Sequence, residues 1–385
     1  MCRPFDESKI YISQYATLSK NSKGRKKQLH PDSYRTEFQR DIHRIIYSQP
    51  FRRLRHKTQV FFLPNNDHIC TRMEHVFHVA SASRTVARHL QLNEDLAEAI
   101  GLGHDLGHSP FGHHGEDVLK DICEDQGLDI SFQHEINGLR VVDKLAELDR
   151  EPESGLNLTY EVRDGIISHC GEDFGSNLIT PEKEDKNLED IKNRRDALMP
   201  ITLEGCVVRF IDKIAYAGRD LEDALKAGLI EENDVPKDII DELGNNNGEI
   251  IGRLLKDLID TSKKHENQIG LSRTKFEALK RLIEFNYDKI YGHDKVKKFE
   301  IQAKWALEII FEYLLKEIKR TNRFTNAGSV CLKIPVIQFL QKFVNKIKYS
   351  DNDKDEIIVL DFISGMTDNY VLESISELFV PKYIV

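Results

Sequence analysis

The chain has 385 residues, of which 40% are hydrophobic and 31% are charged, and its formal net charge is -9 at pH 7. This composition is typical of a globular protein with a substantial core, and it argues against a protein that coats nucleic acid through overall charge. No apolar run approaches the roughly 20 residues that a membrane-spanning helix needs, and the six cysteines include no CxxC pair. We therefore expect a cytoplasmic protein with reduced thiols and no membrane partner.

The N-terminal part of the chain, residues 1–50, is predicted to be a separate segment with a mobile basic loop at 20–27 (KNSKGRKK). A solvated loop without a specific role is the simplest interpretation of such a charge run. Helical spacing of apolar residues begins at 35–48. A β-branched and aromatic run at 59–63 is separated from residues 68–70 by a Pro-Asn-Asn-Asp turn, which predicts a small β-hairpin.

Helical periodicity dominates the rest of the chain. Further helices are predicted at 73–90, 94–106, 115–124, 133–148, 158–169, 201–227, 249–262, 272–291, 296–319, 329–347 and 367–379. The polar stretch 181–196 divides two of them and is interpreted as a surface loop or insertion, and Asn-Asn-Asn-Gly at 245–248 marks a break. The prediction is an all-α protein with one domain at 51–230 and a C-terminal helical region at 231–385.

Histidines are concentrated in one part of the chain, since ten of the fifteen lie between residues 56 and 134. Imidazole binds metals readily and transfers protons near neutral pH, so a metal site and acid-base catalysis are the two functional interpretations. For any single histidine, a structural role is the default. The pair His104-Asp105 ends an apolar helix, where a carboxylate is costly to bury unless it meets a cation.

Two other residues extend that pair to a candidate metal site. His75 lies on an amphipathic helix, and Asp212 interrupts the apolar face of another helix. Together with His104 and Asp105 they provide two imidazoles and two carboxylates. This donor set suits a mid-row divalent ion such as Mn, Fe, Co, Ni or Zn and leaves positions for water and a substrate oxygen. His-Asp dipeptides are common, so the spacing alone gives only a hypothesis.

The order His75, His104-Asp105, Asp212 matches the H…HD…D signature of the HD superfamily of metal-dependent phosphohydrolases, which have a helical fold. Within it, the sequence resembles the bacterial deoxynucleoside triphosphate triphosphohydrolases of the dGTPase-like group. The resemblance covers most of the chain and is carried by 51–60, 71–75, 103–113 (GHDLGHSPFGH) and 361–368 (DFISGMTD). It implies an HD-domain helical fold and hydrolysis of a dNTP at the α-phosphorus, which releases a deoxynucleoside and inorganic triphosphate.

The resemblance also implies catalytic roles for four side chains. His113, oriented by Glu116 three residues later, would protonate the leaving 5′-oxygen. His108 and His134 would lie near the α-phosphate and stabilise negative charge there, with a structural role for each ring as the alternative.

Substrate contacts follow from the same resemblance. Arg55, Arg72 and Lys213 would counter the charge of the triphosphate. Tyr216 would pack on the deoxyribose and leave no room for a 2′-hydroxyl, with core packing as the alternative. The remaining predicted contacts are Asp220 and Gln59 with the 3′-hydroxyl and Tyr291 with the sugar or base.

The implied cofactor is a divalent metal (Mn, Mg, Fe, Co, Ni or Zn), with Mg²⁺ accompanying the substrate phosphates. The implied assembly is a homo-oligomer, either a hexamer or a tetramer, and some members of the group carry a dNTP effector site. Two alternatives stay open. One is another HD phosphohydrolase, such as a cyclic-nucleotide or alarmone hydrolase, and the other is a single-stranded nucleic-acid-binding regulator with a vestigial site.

Overall fold

The computed structural model describes residues 7–11, 13–59, 70–148, 155–170, 176–193, 199–325, 334–347 and 349–381. These residues are mostly helical, which confirms the predicted all-α class. None of their helices is long and apolar enough to cross a membrane. The helices are α1 (Glu37–Tyr47), α2 (Gln49–Arg53), α3 (Arg72–His89), α4 (Glu94–Gly103), α5 (Gly112–Asp125), α6 (His134–Arg140), α7 (Tyr160–Ile167), α8 (Leu203–Lys226), α9 (Lys237–Leu243), α10 (Asn247–Ser262), α11 (Arg273–Phe285), α12 (Asp294–Thr321), α13 (Pro335–Ile347), α14 (Asp355–Ser364) and α15 (Asp368–Phe379).

Three of these helices, α2, α9 and α14, were not predicted from apolar periodicity. The first two have 5 and 7 residues, which is too short for a periodic pattern to emerge. Helix α14 is buried at nearly consecutive positions from Ile358 to Ser364, so it has no polar face that would mark the helical period. The predicted helix at 329–347 is described from Pro335 onward.

The predicted hairpin falls mainly on residues 60–69, which lie outside the described part of the chain. The described residues that flank it, Thr58 and Thr71, form an antiparallel bridge. A two-stranded antiparallel sheet occurs elsewhere, where β1 (Leu178–Ile179) pairs with β2 (Ile269–Gly270). Two-residue strands are too short to give an alternating pattern, so the sequence did not predict them.

Buried apolar side chains form two clusters. In the first, α3, α4 and α8 pack against one another, and α1, α7 and α10 pack around them. In the second, α12 packs against α14, α15 and α5. Helix α5 thus joins the C-terminal helices although it precedes them by far in the sequence. The division into 51–230 and 231–385 stays a prediction.

The basic loop at 20–27 is more than a solvated segment. The side chain of Arg25 is buried and pairs with Asp41 and with Glu37. The backbone of Arg25 also forms an antiparallel β-bridge with Thr159, next to the start of α7. In the stretch 181–196, Lys186 is similarly anchored, since its Nζ donates to Asp164 at 2.8 Å. Ion pairs of Arg25 and Lys186 therefore anchor the two polar segments to α1 and α7 of the first cluster.

A tight contact behind the His104-Asp105 pair sets the position of the loop that follows α4. Residues His104–Gly107 form a 3₁₀ turn. A Cβ atom on Gly107 would lie 2.0 Å from the carbonyl oxygen of His134 and 2.1 Å from the backbone nitrogen of Gly138. The side chain of Asn137 donates to the carbonyl of Gly107 at 2.7 Å. The turn is therefore pressed directly against the backbone of α6.

This contact predicts a large cost for Gly107→Ala. Overpacking normally costs about 1–3 kcal/mol, and here two backbone segments would have to separate, so we expect a loss of more than about 3 kcal/mol in the free energy of unfolding. Gly252→Ala is the control, because this position is exposed within α10 and a Cβ there meets no atom within 4 Å. It should stabilise by about 0.5–1 kcal/mol. Urea denaturation of both variants measures the difference, and equal midpoints would contradict the predicted close contact.

Candidate metal centre and histidine cluster

Three elements bring the four predicted metal ligands together. His75 lies in the first turn of α3, whose start is fixed by a capping box in which Thr71 and Glu74 bond each other's backbone amides. His104 and Asp105 lie in the 3₁₀ turn that continues α4. Asp212 lies near the middle of α8. Since α3, α4 and α8 pack on one another, the three segments meet in the first apolar cluster.

The ligand atoms of these four side chains lie within a few ångströms of one another. His75 Nε2 is 2.9 Å from Asp212 Oδ1 and 3.9 Å from Asp105 Oδ2. His104 Nε2 is 3.3 Å from Asp105 Oδ1 and 3.5 Å from Asp212 Oδ1. Three of the residues are buried, and Asp212 is partly accessible. The structure therefore brings together all four residues that the sequence singled out.

The orientation of His104 fits a metal ligand. Its Nδ1 lies 2.7 Å from the carbonyl oxygen of Gly101, which can only accept, so Nδ1 donates and Nε2 is the atom left to bind a proton or a cation. This buried Nε2 has no hydrogen-bond partner among the described residues. It faces carboxylate oxygens, which are also acceptors, and that arrangement is unfavourable unless a cation or a proton lies between them. A backbone carbonyl that fixes the far nitrogen is typical of histidines that bind metals.

The electrostatics keep both carboxylates ionised. Burial alone would raise the pKa of Asp105, but His104, Arg72 and His108 outweigh it and hold the pKa well below its usual range. For Asp212, His104 and His75 outweigh burial in the same way. Two buried anions therefore remain available as oxygen ligands near neutral pH.

Of the residues predicted to bind the triphosphate, Arg72 is already engaged by the chain. It is almost fully buried, and its guanidinium donates to Asp105 Oδ2 at 2.7 Å and to the backbone carbonyl of Gln59 at 3.3 Å. This geometry makes Arg72 a group that orients and neutralises Asp105. Lys213 is buried beside Asp212 on α8. Arg55 is exposed, and among the described residues no ion pair or hydrogen bond joins it to the centre.

A second group of rings adjoins the centre. His108 Nε2 lies 3.1 Å from Asp105 Oδ1, and its ring stacks on that of His134 with a centroid distance of 3.9 Å. His134 Nδ1 lies 2.7 Å from Glu116 Oε2, whereas His113 Nδ1 lies 3.9 Å from the same oxygen. Glu116 therefore lies closer to the ring of His134 than to that of His113, its predicted partner. Spacing along α5 could not show this, because His134 enters from α6.

The two stacked rings, His108 and His134, differ in charge. Burial lowers the pKa of His134, but Glu116 and other neighbours outweigh it and raise the pKa well above its usual value. Burial, Arg72 and His134 lower the pKa of His108 well below its usual value. Near neutral pH the cluster therefore contains one imidazolium beside one neutral imidazole.

Sequence reasoning missed two residues of this region, His169 and Cys170, which follow the end of α7. The His169 ring lies 5.0 Å from that of His104 between centroids, and Cys170 Sγ lies 3.1 Å from His134 Nε2. Burial would raise the pKa of Cys170, but His169 and His134 outweigh it and lower the pKa to about 7. A signal was present in the sequence, since His-Cys ends an apolar helix just as His-Asp ends α4.

Of the predicted sugar contacts, Tyr216 and Asp220 lie on α8, and Tyr291 contacts Asp220. Tyr291 donates a hydrogen bond to Asp220 Oδ2, and burial raises the pKa of Asp220 to about 7. Tyr216 is partly accessible and lies on α8 between Asp212 and Asp220. The side-chain oxygen of Gln59 is buried without a partner among the described residues.

The DFISGMTD segment, residues 361–368, contacts the segments that surround the candidate metal centre. Asp368 accepts hydrogen bonds at 2.9 Å from the backbone nitrogens of Thr58 and Phe111. Asp361 forms a two-point ion pair with Arg140 at 2.6 Å. The buried ammonium of Lys57 donates to the carbonyls of His108 and Ser364. This motif therefore ties the C-terminal helices to the loops that carry the histidines.

Comparisons with known proteins agree with this arrangement. The HD domain matches residues 72–217, and the phosphohydrolase-associated domain matches residues 269–377. Proteins named deoxyguanosinetriphosphate triphosphohydrolase-like protein from Caldanaerobacter subterraneus subsp. tengcongensis, Clostridium tetani and Desulfatibacillum aliphaticivorans are 38%, 36% and 37% identical to this chain. The alignments cover 96%, 98% and 97% of this chain and 93%, 95% and 96% of the relatives.

The geometry predicts that His75→Ala weakens the binding of a divalent cation. Loss of a direct ligand should cost at least the roughly 100-fold in affinity that loss of an outer-shell partner can cost. His78→Ala is the matched control, because His78 is exposed one turn later on α3. Calorimetric titration with MnCl₂, together with elemental analysis, measures both variants. Unchanged affinity in His75→Ala would show that this side chain is not a ligand.

Proposed function

The chain belongs to the family of HD-domain proteins named deoxyguanosinetriphosphate triphosphohydrolase-like, and we propose on that basis that it hydrolyses deoxynucleoside triphosphates. The proposed products are a deoxynucleoside and inorganic triphosphate. The chief support is the convergence of His75, His104, Asp105 and Asp212, in which a buried imidazole nitrogen faces two carboxylates and has no hydrogen-bond partner in the described part of the chain. When bound there, a divalent cation supplies Lewis-acid polarisation of a phosphate oxygen and lowers the pKa of water.

The neighbouring rings have complementary proposed roles. His134, held as a cation by Glu116, would stabilise negative charge that develops on the α-phosphate. His113 is the proposed proton donor to the leaving 5′-oxygen, because its ring is exposed and a substrate can reach it. Arg72 would act through Asp105, which it orients and neutralises.

The proposed sugar pocket uses the group on α8. Tyr291 occupies one oxygen of Asp220, so the second oxygen is the proposed acceptor from the 3′-hydroxyl. The 3′-hydroxyl has one proton, so the side-chain oxygen of Gln59, which has no partner among the described residues, is the alternative acceptor. The Tyr216 ring would occupy the space that a 2′-hydroxyl needs. Four further proposals rest on the family resemblance alone. They are a homo-oligomeric state (hexamer or tetramer), a cytoplasmic location, a dNTP effector and Mg²⁺ on the substrate phosphates.

Product analysis with dGTP and Mn²⁺ tests the proposed reaction. We expect deoxyguanosine and inorganic triphosphate in equal amounts, because water would attack the α-phosphorus and expel the 5′-oxygen. With GTP, the value of kcat/KM should fall by about 100-fold, the size typical of steric rejection of one hydroxyl. Release of a nucleoside monophosphate and pyrophosphate, or equal turnover of the two substrates, would contradict the proposal and favour another HD phosphohydrolase.

Replacement of Tyr216 tests the proposed basis for sugar selection. Tyr216→Ala should bring the ratio of kcat/KM for dGTP and GTP close to one, because removal of the ring opens space for a 2′-hydroxyl. Tyr216→Phe should keep the ratio, since the ring and not its hydroxyl provides the obstruction. An unchanged ratio in a folded Tyr216→Ala variant would assign selection to another residue.

A further inference from the structure

His134, His169 and Cys170 form a compact cluster beside the candidate metal centre. The Nε2 atoms of the two histidines are 3.3 Å apart, and Cys170 Sγ lies 3.1 Å from that of His134. All three candidate ligand atoms lie within 4.8 Å of one another. Both rings are nearly fully buried. The proposed function needs His134 but gives no role to the other two residues.

The hydrogen bonds of the two rings turn their Nε2 atoms toward each other. His169 Nδ1 is 2.6 Å from the carbonyl oxygen of Ile166, so Nδ1 donates and Nε2 is the atom left to bind a proton or a cation. His134 Nδ1 donates in the same way to Glu116 Oε2. Each Nε2 can then bind either a proton or a metal cation, and the proton that the His134 imidazolium carries there would have to leave before a cation binds.

The spacing fits a tetrahedral metal site. Bonds of about 2.0–2.1 Å from zinc to imidazole nitrogen imply a separation of roughly 3.3–3.4 Å between two nitrogens at the tetrahedral angle, and the observed separation is 3.3 Å. A sulfur at about 2.3 Å from zinc would lie roughly 3.5 Å from each nitrogen. Cys170 Sγ would therefore move outward by a few tenths of an ångström to complete the site.

We propose that His134, His169 and Cys170 bind a second cation, of the thiophilic zinc class, next to the centre formed by the two carboxylates. Two imidazoles and a thiolate provide no hard oxygen donor, which favours zinc, iron or cobalt over magnesium and manganese. Three protein ligands leave a fourth position for water or a substrate oxygen. The rings of His104 and His169 are in contact, so the two sites are adjacent.

The second site changes the chemistry available to His134. An imidazole that binds a cation through Nε2 cannot at the same time carry a proton on that atom. Zinc at this site and the proposed electrostatic role of His134 therefore exclude each other. This consequence rests on the proposed function, whereas binding of the cation does not.

Cobalt(II) is a suitable probe, because a bound thiolate gives a charge-transfer absorption in the near ultraviolet that nitrogen and oxygen ligands do not give. We expect the full-length metal-free protein to bind two cobalt ions per chain and to develop this band. Cys170→Ser should lose the band and one of the two ions. His169→Gln should also lose the band while it keeps the thiol. Circular dichroism confirms that each variant is folded.

Two controls distinguish this site from cobalt binding at another thiol and from the neighbouring centre. Cys123→Ala removes a buried cysteine of α5 that belongs to the other apolar cluster and should keep the band. His75→Ala impairs the neighbouring centre and should also keep the band. This expectation does not depend on whether the protein hydrolyses dNTPs. The proposal is overturned if the unmodified protein binds cobalt without the band, or if the band persists in Cys170→Ser.

Discussion

The balance of buried charge at the junction of α3, α4 and α8 is the constraint on which the site depends. Asp105 is almost fully buried, and Asp212 is only slightly accessible. Removing a carboxylate from water costs several kcal/mol, so each requires cationic or proton-donating neighbours. Asp105 has them in Arg72, His104 and His108. The three helices can therefore pack in this way only if the two carboxylates are neutralised. A bound divalent cation would neutralise them most completely.

The rings around this junction are positioned by contacts from distant parts of the chain. Gly107 lets α6 approach closely enough for His134 to stack on His108. The C-terminal helices fix the adjoining loops through Asp368 and Lys57. The candidate metal centre thus depends on both apolar clusters, although its four candidate ligands belong to elements of the first.

Sequence reasoning singled out the four converging side chains because their chemistry is visible in residue type and because His104-Asp105 ends an apolar helix. It could not assign the partners of Arg72 or Glu116, since Asp105 and His134 approach them from other elements. The pair His169-Cys170 escaped notice because it lies outside the region where histidines are concentrated. The all-α class followed from periodicity, but α14 did not, because a helix buried at most positions has no polar face.

Anomalous scattering at the manganese absorption edge, from crystals grown with Mn²⁺, tests the central claim most directly. The expected result is a peak within about 2.0–2.2 Å of the ligand atoms of His75, His104, Asp105 and Asp212, the usual range for imidazole and carboxylate ligands of divalent ions such as zinc. A manganese peak at another place would contradict the claim. So would a fully occupied manganese ion that His104 Nε2 does not coordinate.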